Sequence, residues 1–195
     1  MDYFFTKEKA ISSSQISNLV KVLEHYLKTR KPNDELLPNL QYGFDYKMIE
    51  KNFRPILDDM IGEHNVTGCF LQRSIVPLNI HSDWENNPDE DTPGYAVLFP
   101  LQLDGDAHTI VFKETSHDKH PNDSNKITNY KFSNEDLKLL GHVPEFRLQR
   151  VSEPKKIKWV LGDAIVWKRA HFHCSDNFLT GDTKYKDSLV LFTTK

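Results

Sequence analysis

Two separated motifs in this 195-residue chain hold the side chains with chemical reach. The first is His81-Ser82-Asp83; the second spans 162–188 and contains His171, His173 and Lys186. Two imidazoles and one carboxylate can hold a divalent iron on one face and leave the opposite face open for reaction. His81 and Asp83 lie two residues apart, so in an extended segment both side chains point the same way. An ionised carboxylate turned into an interior needs a charge partner, and a metal ion is one such partner. A His-x-Asp alone also fits a surface turn, because Asp83-Trp84-Glu85-Asn86-Asn87-Pro88 is very polar. His171 and His173 share strand parity, as do Lys184 and Lys186, so each pair offers two candidates. Lys186 leads directly into the apolar run 189–192, whereas Lys184 still belongs to the preceding loop.

The elements that must position these residues change character along the chain. Ile16, Leu19, Val20, Leu23, Tyr26 and Leu27 recur at helical spacing, with Ser13 or Ser14 as the cap and Pro32 beyond the end. A second helix is expected over 46–61, kinked or started late by Pro55 and stopped by Gly62. From Val66 onward short strands are expected at 68–77, 94–103, 108–113, 145–152, 156–161, 164–167 and 188–194. Polar turns separate them, and Ser133 with Asp136 marks one short helix at 134–140. Helices followed by many uneven strands predict an α+β, mainly β domain whose β part is a jelly roll rather than a regular up-and-down barrel. The polar stretch 114–128 reads equally as a lid or as a disordered insertion.

Composition narrows the function classes. A chain of this length suits one domain with a real core. Its formal net charge of −3 argues against nucleic acid or an anionic membrane as partner. The local basic stretches, Lys155-Lys156-Ile157-Lys158 and Lys168-Arg169, read as solvated strand edges. Two cysteines, Cys69 and Cys174, are too few for a disulfide scaffold and suggest reduced thiols in a cytoplasmic protein. Residues 1–7 lack a basic region followed by an apolar run, so no signal peptide is expected.

Taken in order, His81, Asp83, the Gly162 turn, the apolar strand to Trp167, His173 and Lys186 resemble the Fe(II)/2-oxoglutarate-dependent dioxygenase superfamily, in particular its prolyl-hydroxylase-like and phytanoyl-hydroxylase-like branches. The resemblance covers roughly 68–194 and implies a double-stranded β-helix (jelly roll) with N-terminal supporting helices. It implies one domain over 1–195, helical to about 65, with the jelly-roll core from about 66. By this resemblance His81, Asp83 and His173 are the iron ligands, and Lys186 with Ser188 binds the far carboxylate of 2-oxoglutarate. Lysine supplies a point charge there, in place of the commoner arginine with its two-pronged grip. The implied activity is hydroxylation of a C–H bond of a protein side chain or small metabolite, using Fe(II), 2-oxoglutarate and O2 and releasing succinate and CO2. Tyr95, on a neighbouring strand, is a further candidate for the co-substrate and equally fits a core position. Trp84 is a candidate wall of the substrate pocket; Gln72, Asn79, Arg169 and Asn177 are candidates for supporting contacts. His108, His117, His120 and His142 read as scattered surface histidines. The competing reading is a cupin-like or zinc-binding jelly-roll protein without oxygenase activity. His171-Phe172-His173 suits a cupin, but the expected glutamate is missing at Asn177 and Phe178.

Overall fold

Residues 94–103 are apolar in nearly every position, the pattern of a strand buried on both faces. The structure, a computed structural model, describes residues 3–33, 39–83, 93–116 and 127–194. The chain runs β1 (Phe4–Lys7), α1 (Ser13–Thr29), β2 (Leu40–Gly43), α2 (Tyr46–Asn52), α3 (Arg54–Ile61), β3 (Asn65–Ser74), β4 (Pro93–Leu103) and β5 (His108–Thr115). It continues through α4 (Asn134–Leu139), α5 (Glu145–Leu148), β6 (Lys155–Lys158), β7 (Ala164–Lys168), β8 (His171–Ser175) and β9 (Lys186–Thr194).

Two antiparallel sheets result. The larger has the order β1-β7-β4-β9-β3-β2, the smaller β6-β5-β8. A single antiparallel bridge, His81 to His173, extends the smaller sheet beyond β8. Ala96, Leu98, Ile165, Trp167 and Val190 of the large sheet meet Val111, Ile157 and Trp159 between the sheets. On the outer face of the large sheet, Val97, Phe99, Leu71 and Leu191 meet Leu19 and Leu23 of α1 and Leu57 of α3. Ile110, Phe112, Phe172 and Cys174 cover the other face of the small sheet with Leu140, Val143 and Val151. This is a double-stranded β-helix with supporting helices, as expected. No helix among the described residues is long and apolar enough to cross a membrane.

Local chemistry explains where the expected boundaries move. Ser12, one residue earlier than expected, caps α1: its hydroxyl accepts Gln15 N at 3.3 Å and Gln15 Oε1 accepts Ser12 N at 2.9 Å. The helix expected over 46–61 is two helices meeting at Phe53, because Pro55 suits a first turn and not an interior. The strand expected at 145–152 is instead α5, following Pro144. Its Phe146 and Leu148 alternate like strand residues, and four residues are too few to display a helical period. The division near residue 65 is no structural boundary, since β1 and β2 form both edges of the large sheet. The basic edge strand β6 is solvated and ion-paired, Lys155 to Glu153, Lys156 to Glu135 and Lys158 to Asp106.

Alternation along β9 sends Asp187 outward, where it is fully buried beneath α1. Arg73 grips it through two bonds of 2.9 and 2.7 Å and reaches Glu24 of α1 at 2.7 Å. Removing one partner of such a pair strands the other charge. Arg73→Ala should therefore cost roughly 3 kcal/mol in urea unfolding. Burial raises the Asp187 carboxyl above its ordinary range, with Arg73 pulling it down in part. A raised acid favours the folded state when protonated, so without Arg73 the loss should be largest near neutral pH and shrink as pH falls. A loss independent of pH would identify its cause as packing alone.

Candidate metal centre

The His81–His173 bridge brings the two motifs together. His81 N donates to His173 O at 3.0 Å, and His173 N donates to His81 O at 2.9 Å. The imidazoles lie 4.3 Å apart between centroids, tilted by 54°. Each places Nδ1 against a backbone carbonyl, His81 on Asn79 at 2.7 Å and His173 on His171 at 3.1 Å. A carbonyl there accepts a hydrogen bond from Nδ1–H and leaves the Nε2 lone pair facing inward. Asp83 completes the group: its Oδ1 is 3.8 Å from His81 Nε2 and its Oδ2 is 3.4 Å from His173 Nε2. One ligand atom from each residue falls within 4.8 Å of the others.

Asp83 Oδ2 is buried without a hydrogen-bond partner. Burial alone would raise this carboxyl, but His173, His81 and Arg169 outweigh it and hold the acid below its usual range. Burial, then the charge of His173, pushes the His81 imidazole down to about 4, although 34 % of the side chain faces open space. The group thus presents two imidazole nitrogens and a carboxylate, a donor set that fits a divalent cation. Arg169 holds the ligand loop from behind. Its Nη2 donates to Asp83 O at 3.1 Å, and its own carbonyl accepts Asp83 N at 3.2 Å.

His171 does not join the group. Its ring stacks on Tyr3 at 4.8 Å and its Nδ1 meets Phe112 O at 3.1 Å. It sits beyond the irregularity in the β5–β8 register between Val111 and Thr115, whereas His173 pairs with Val111.

The triad opens into a cavity of about 650 Å³ that Lys186, Ser188, Thr109 and Trp159 also line. Lys186 is only 2 % exposed; its Nζ donates to His108 O at 3.4 Å and lies 4.3 Å from the Trp159 ring centre. Burial pushes the ammonium down to about 8, with Asp176 and Cys174 opposing the shift. Asp176 Oδ1 is 3.9 Å from Nζ, while Oδ2 accepts His108 N and meets His108 Nδ1, each at 2.9 Å. Local sequence does not announce this Lys186–Asp176–His108 chain: His108 reads as a surface histidine, and only the pairing of β5 with β8 brings it to Asp176. His142 likewise is half-buried and meets Leu78 O at 3.1 Å. Lys184 is exposed. Tyr95 is a correction: it lies with Val97 and Phe99 in the outer cluster, on the face of β4 turned away from the cavity. Gln72 and Asn79 line the cavity, whereas Asn177 starts the 3-10 turn Phe178–Gly181. Trp84, His117, His120 and 117–126 of the expected lid lie outside the described residues.

No family model and no curated relative matches the sequence. Solved structures share its fold. SnoK, a non-heme alpha-ketoglutarate-dependent carbocyclase from nogalamycin biosynthesis, matches with a TM-score of 0.64 at 11% identity, over 99% of this chain and 79% of its own. HygX from Streptomyces hygroscopicus, with nickel, 2-oxoglutarate and hygromycin B bound, gives 0.60 at 12% identity, over 98% and 82%. A Pseudomonas putida prolyl-4-hydroxylase gives 0.57 at 8% identity, over 99% and 92%. At such identities the likeness establishes the fold, which is that of 2-oxoglutarate-dependent oxygenases.

Cys174 also lines the cavity. Burial pushes its thiol far up and takes that of Cys69 to about 12, so neither supplies a thiolate ligand or nucleophile. Both should resist a thiol-specific disulfide reagent in the folded protein at mildly alkaline pH and react together on unfolding. Rapid modification of either in the native state would contradict this burial.

Proposed function

We propose that this chain is an Fe(II)- and 2-oxoglutarate-dependent dioxygenase that hydroxylates a C–H bond of a small metabolite or protein side chain, with release of succinate and CO2. The observation that carries the reading is the unpartnered buried oxygen of Asp83, facing two inward Nε2 atoms in the cavity that also contains Lys186. His81, Asp83 and His173 would hold the iron, and Lys186 and Ser188 the far carboxylate of 2-oxoglutarate. When bound, iron and 2-oxoglutarate supply the activation of dioxygen and the oxidising power.

The chain's own contribution is placement. The carbonyls of Asn79 and His171 fix which imidazole nitrogen faces inward. Arg169 keeps the Asp83 backbone in register with β8. The Trp159 and Phe178 rings surround the Lys186 ammonium and keep water from it, which strengthens its attraction for a carboxylate. Asp176 opposes loss of the ammonium proton, and His108 holds Asp176.

Succinate formation from 2-oxoglutarate in air, dependent on added Fe(II), tests the reading directly; zinc binding without any 2-oxoglutarate binding would favour the non-oxygenase jelly roll. In calorimetry with Mn(II), His81→Ala, Asp83→Ala and His173→Ala should each weaken binding by more than about 100-fold, since even supporting residues cost 10- to 100-fold. His171→Ala should bind nearly as the parent does, and the reverse result would exchange the ligands. A second titration follows Lys186. Its amine loses charge as pH rises through about 8. The affinity for 2-oxoglutarate should then fall by up to about tenfold per pH unit above that point, and Lys186→Ala should weaken binding and abolish the slope. A flat profile in the parent would place the anchor elsewhere.

A further inference from the structure

The cavity has a second cationic wall that the proposed reaction does not use. Arg147 belongs to α5, the short helix standing where a strand was expected, and it lines the cavity with the triad. Its Nη1 donates to the carbonyl of Ile80, the residue before His81. That bond holds the guanidinium beside the candidate metal centre.

A cation in such a place ordinarily has a counter-ion. Arg73 has Asp187 and Glu24, Arg54 has Asp58, and Lys186 faces Asp176. Among the described residues Arg147 has no carboxylate within ion-pair reach; its remaining contact is the Phe146 ring at 5.8 Å. One of its five N–H groups serves Ile80, so an edge with two parallel donors is left over. That edge matches a planar carboxylate. Besides Arg147, the triad and Lys186, the cavity is lined by apolar Val76, Pro77 and Leu78 and by the amides of Gln41, Gln72 and Asn79. At about 650 Å³ the cavity is of the size that holds small molecules.

We propose that Arg147 is a specificity-determining residue that binds a carboxylate of the substrate, and that the substrate is a compact aliphatic acid with neutral polar substituents. That the bound acid is a substrate rests on the oxygenase reading; the anion site does not. The acid is oxidised elsewhere on its skeleton, and its carboxylate serves as the handle.

Saturation-transfer NMR with matched probes tests this. The probes are 4-methylpentanoate, its neutral amide and 3-methylbutyl phosphate. Each is measured on protein loaded with Zn(II) and 2-oxoglutarate, and again with neither. The acid should bind about tenfold or more tightly than the amide in both samples, because the ionic hydrogen bonds are the difference. Arg147→Gln should remove the preference and Arg147→Lys should keep part of it, which separates the charge from the packing of α5. Equal binding of acid and amide to the parent would overturn the proposal, as would a preference surviving in Arg147→Gln loaded with Zn(II) and 2-oxoglutarate, where Lys186 is occupied. Tighter binding of the phosphate than of the acid would overturn the carboxylate assignment. Failure of 2-oxoglutarate to bind, with the acid preference intact in the metal-free sample, would sink the oxygenase reading and leave the Arg147 site standing.

Discussion

Two backbone hydrogen bonds between His81 and His173 hold the centre of this molecule together. With the bond from Ser175 N to Leu78 O at 3.2 Å they tie the segment after β3 to β8 of the small sheet, and they set both imidazoles side by side. Asp83 is then placed by distance along the chain, two residues on, and by the Arg169 clamp. The cost of this arrangement is a buried carboxylate oxygen without a hydrogen-bond partner, Asp83 Oδ2, in the same cavity wall as both imidazoles. Sites that keep such an unmet demand are where ligands are expected.

Strand β9 shows how one alternation serves two purposes. Its even positions, Lys186, Ser188 and Val190, face the cavity. Its odd positions carry Asp187 to the Arg73 pair and Leu189 and Leu191 to the helices. A slip of one residue would exchange the cavity cation for an anion and bury both in the wrong surroundings. The bonds from Arg73 to Asp187 thus also secure the register that points Lys186 inward.

Much of this arrangement is legible in the residues themselves. The spacing of His81 and Asp83, and the way Lys186 opens an apolar run, express strand parity, which is local. Parity does not separate His171 from His173, because both have the same one; the difference is made by pairing with His81, which lies far earlier in the chain. Tyr95 misleads for a related reason: β4 is apolar on both faces, so nothing in its sequence says which face meets the cavity. Arg147, Asp176 and His108 are silent in the sequence because their significance lies in neighbours from distant strands. The false strand at 145–152 shows the limit of alternation as a signal when the true element is a single helical turn.

The strand order has a consequence for how the protein reaches this state. β9 follows every other strand in sequence yet lies in the middle of the large sheet, between β4 and β3. On a ribosome, β2 and β3 can pair with each other, but β1 emerges before its partner β7 and β3 before its partner β9. Their apolar faces must wait, partly covered by α1, α2 and α3, until the C-terminal strand arrives to join the halves. Such late, long-range closure slows folding and prolongs exposure of unpaired strand edges. In the interval α1 serves as a provisional cover for the face it later shares with β9.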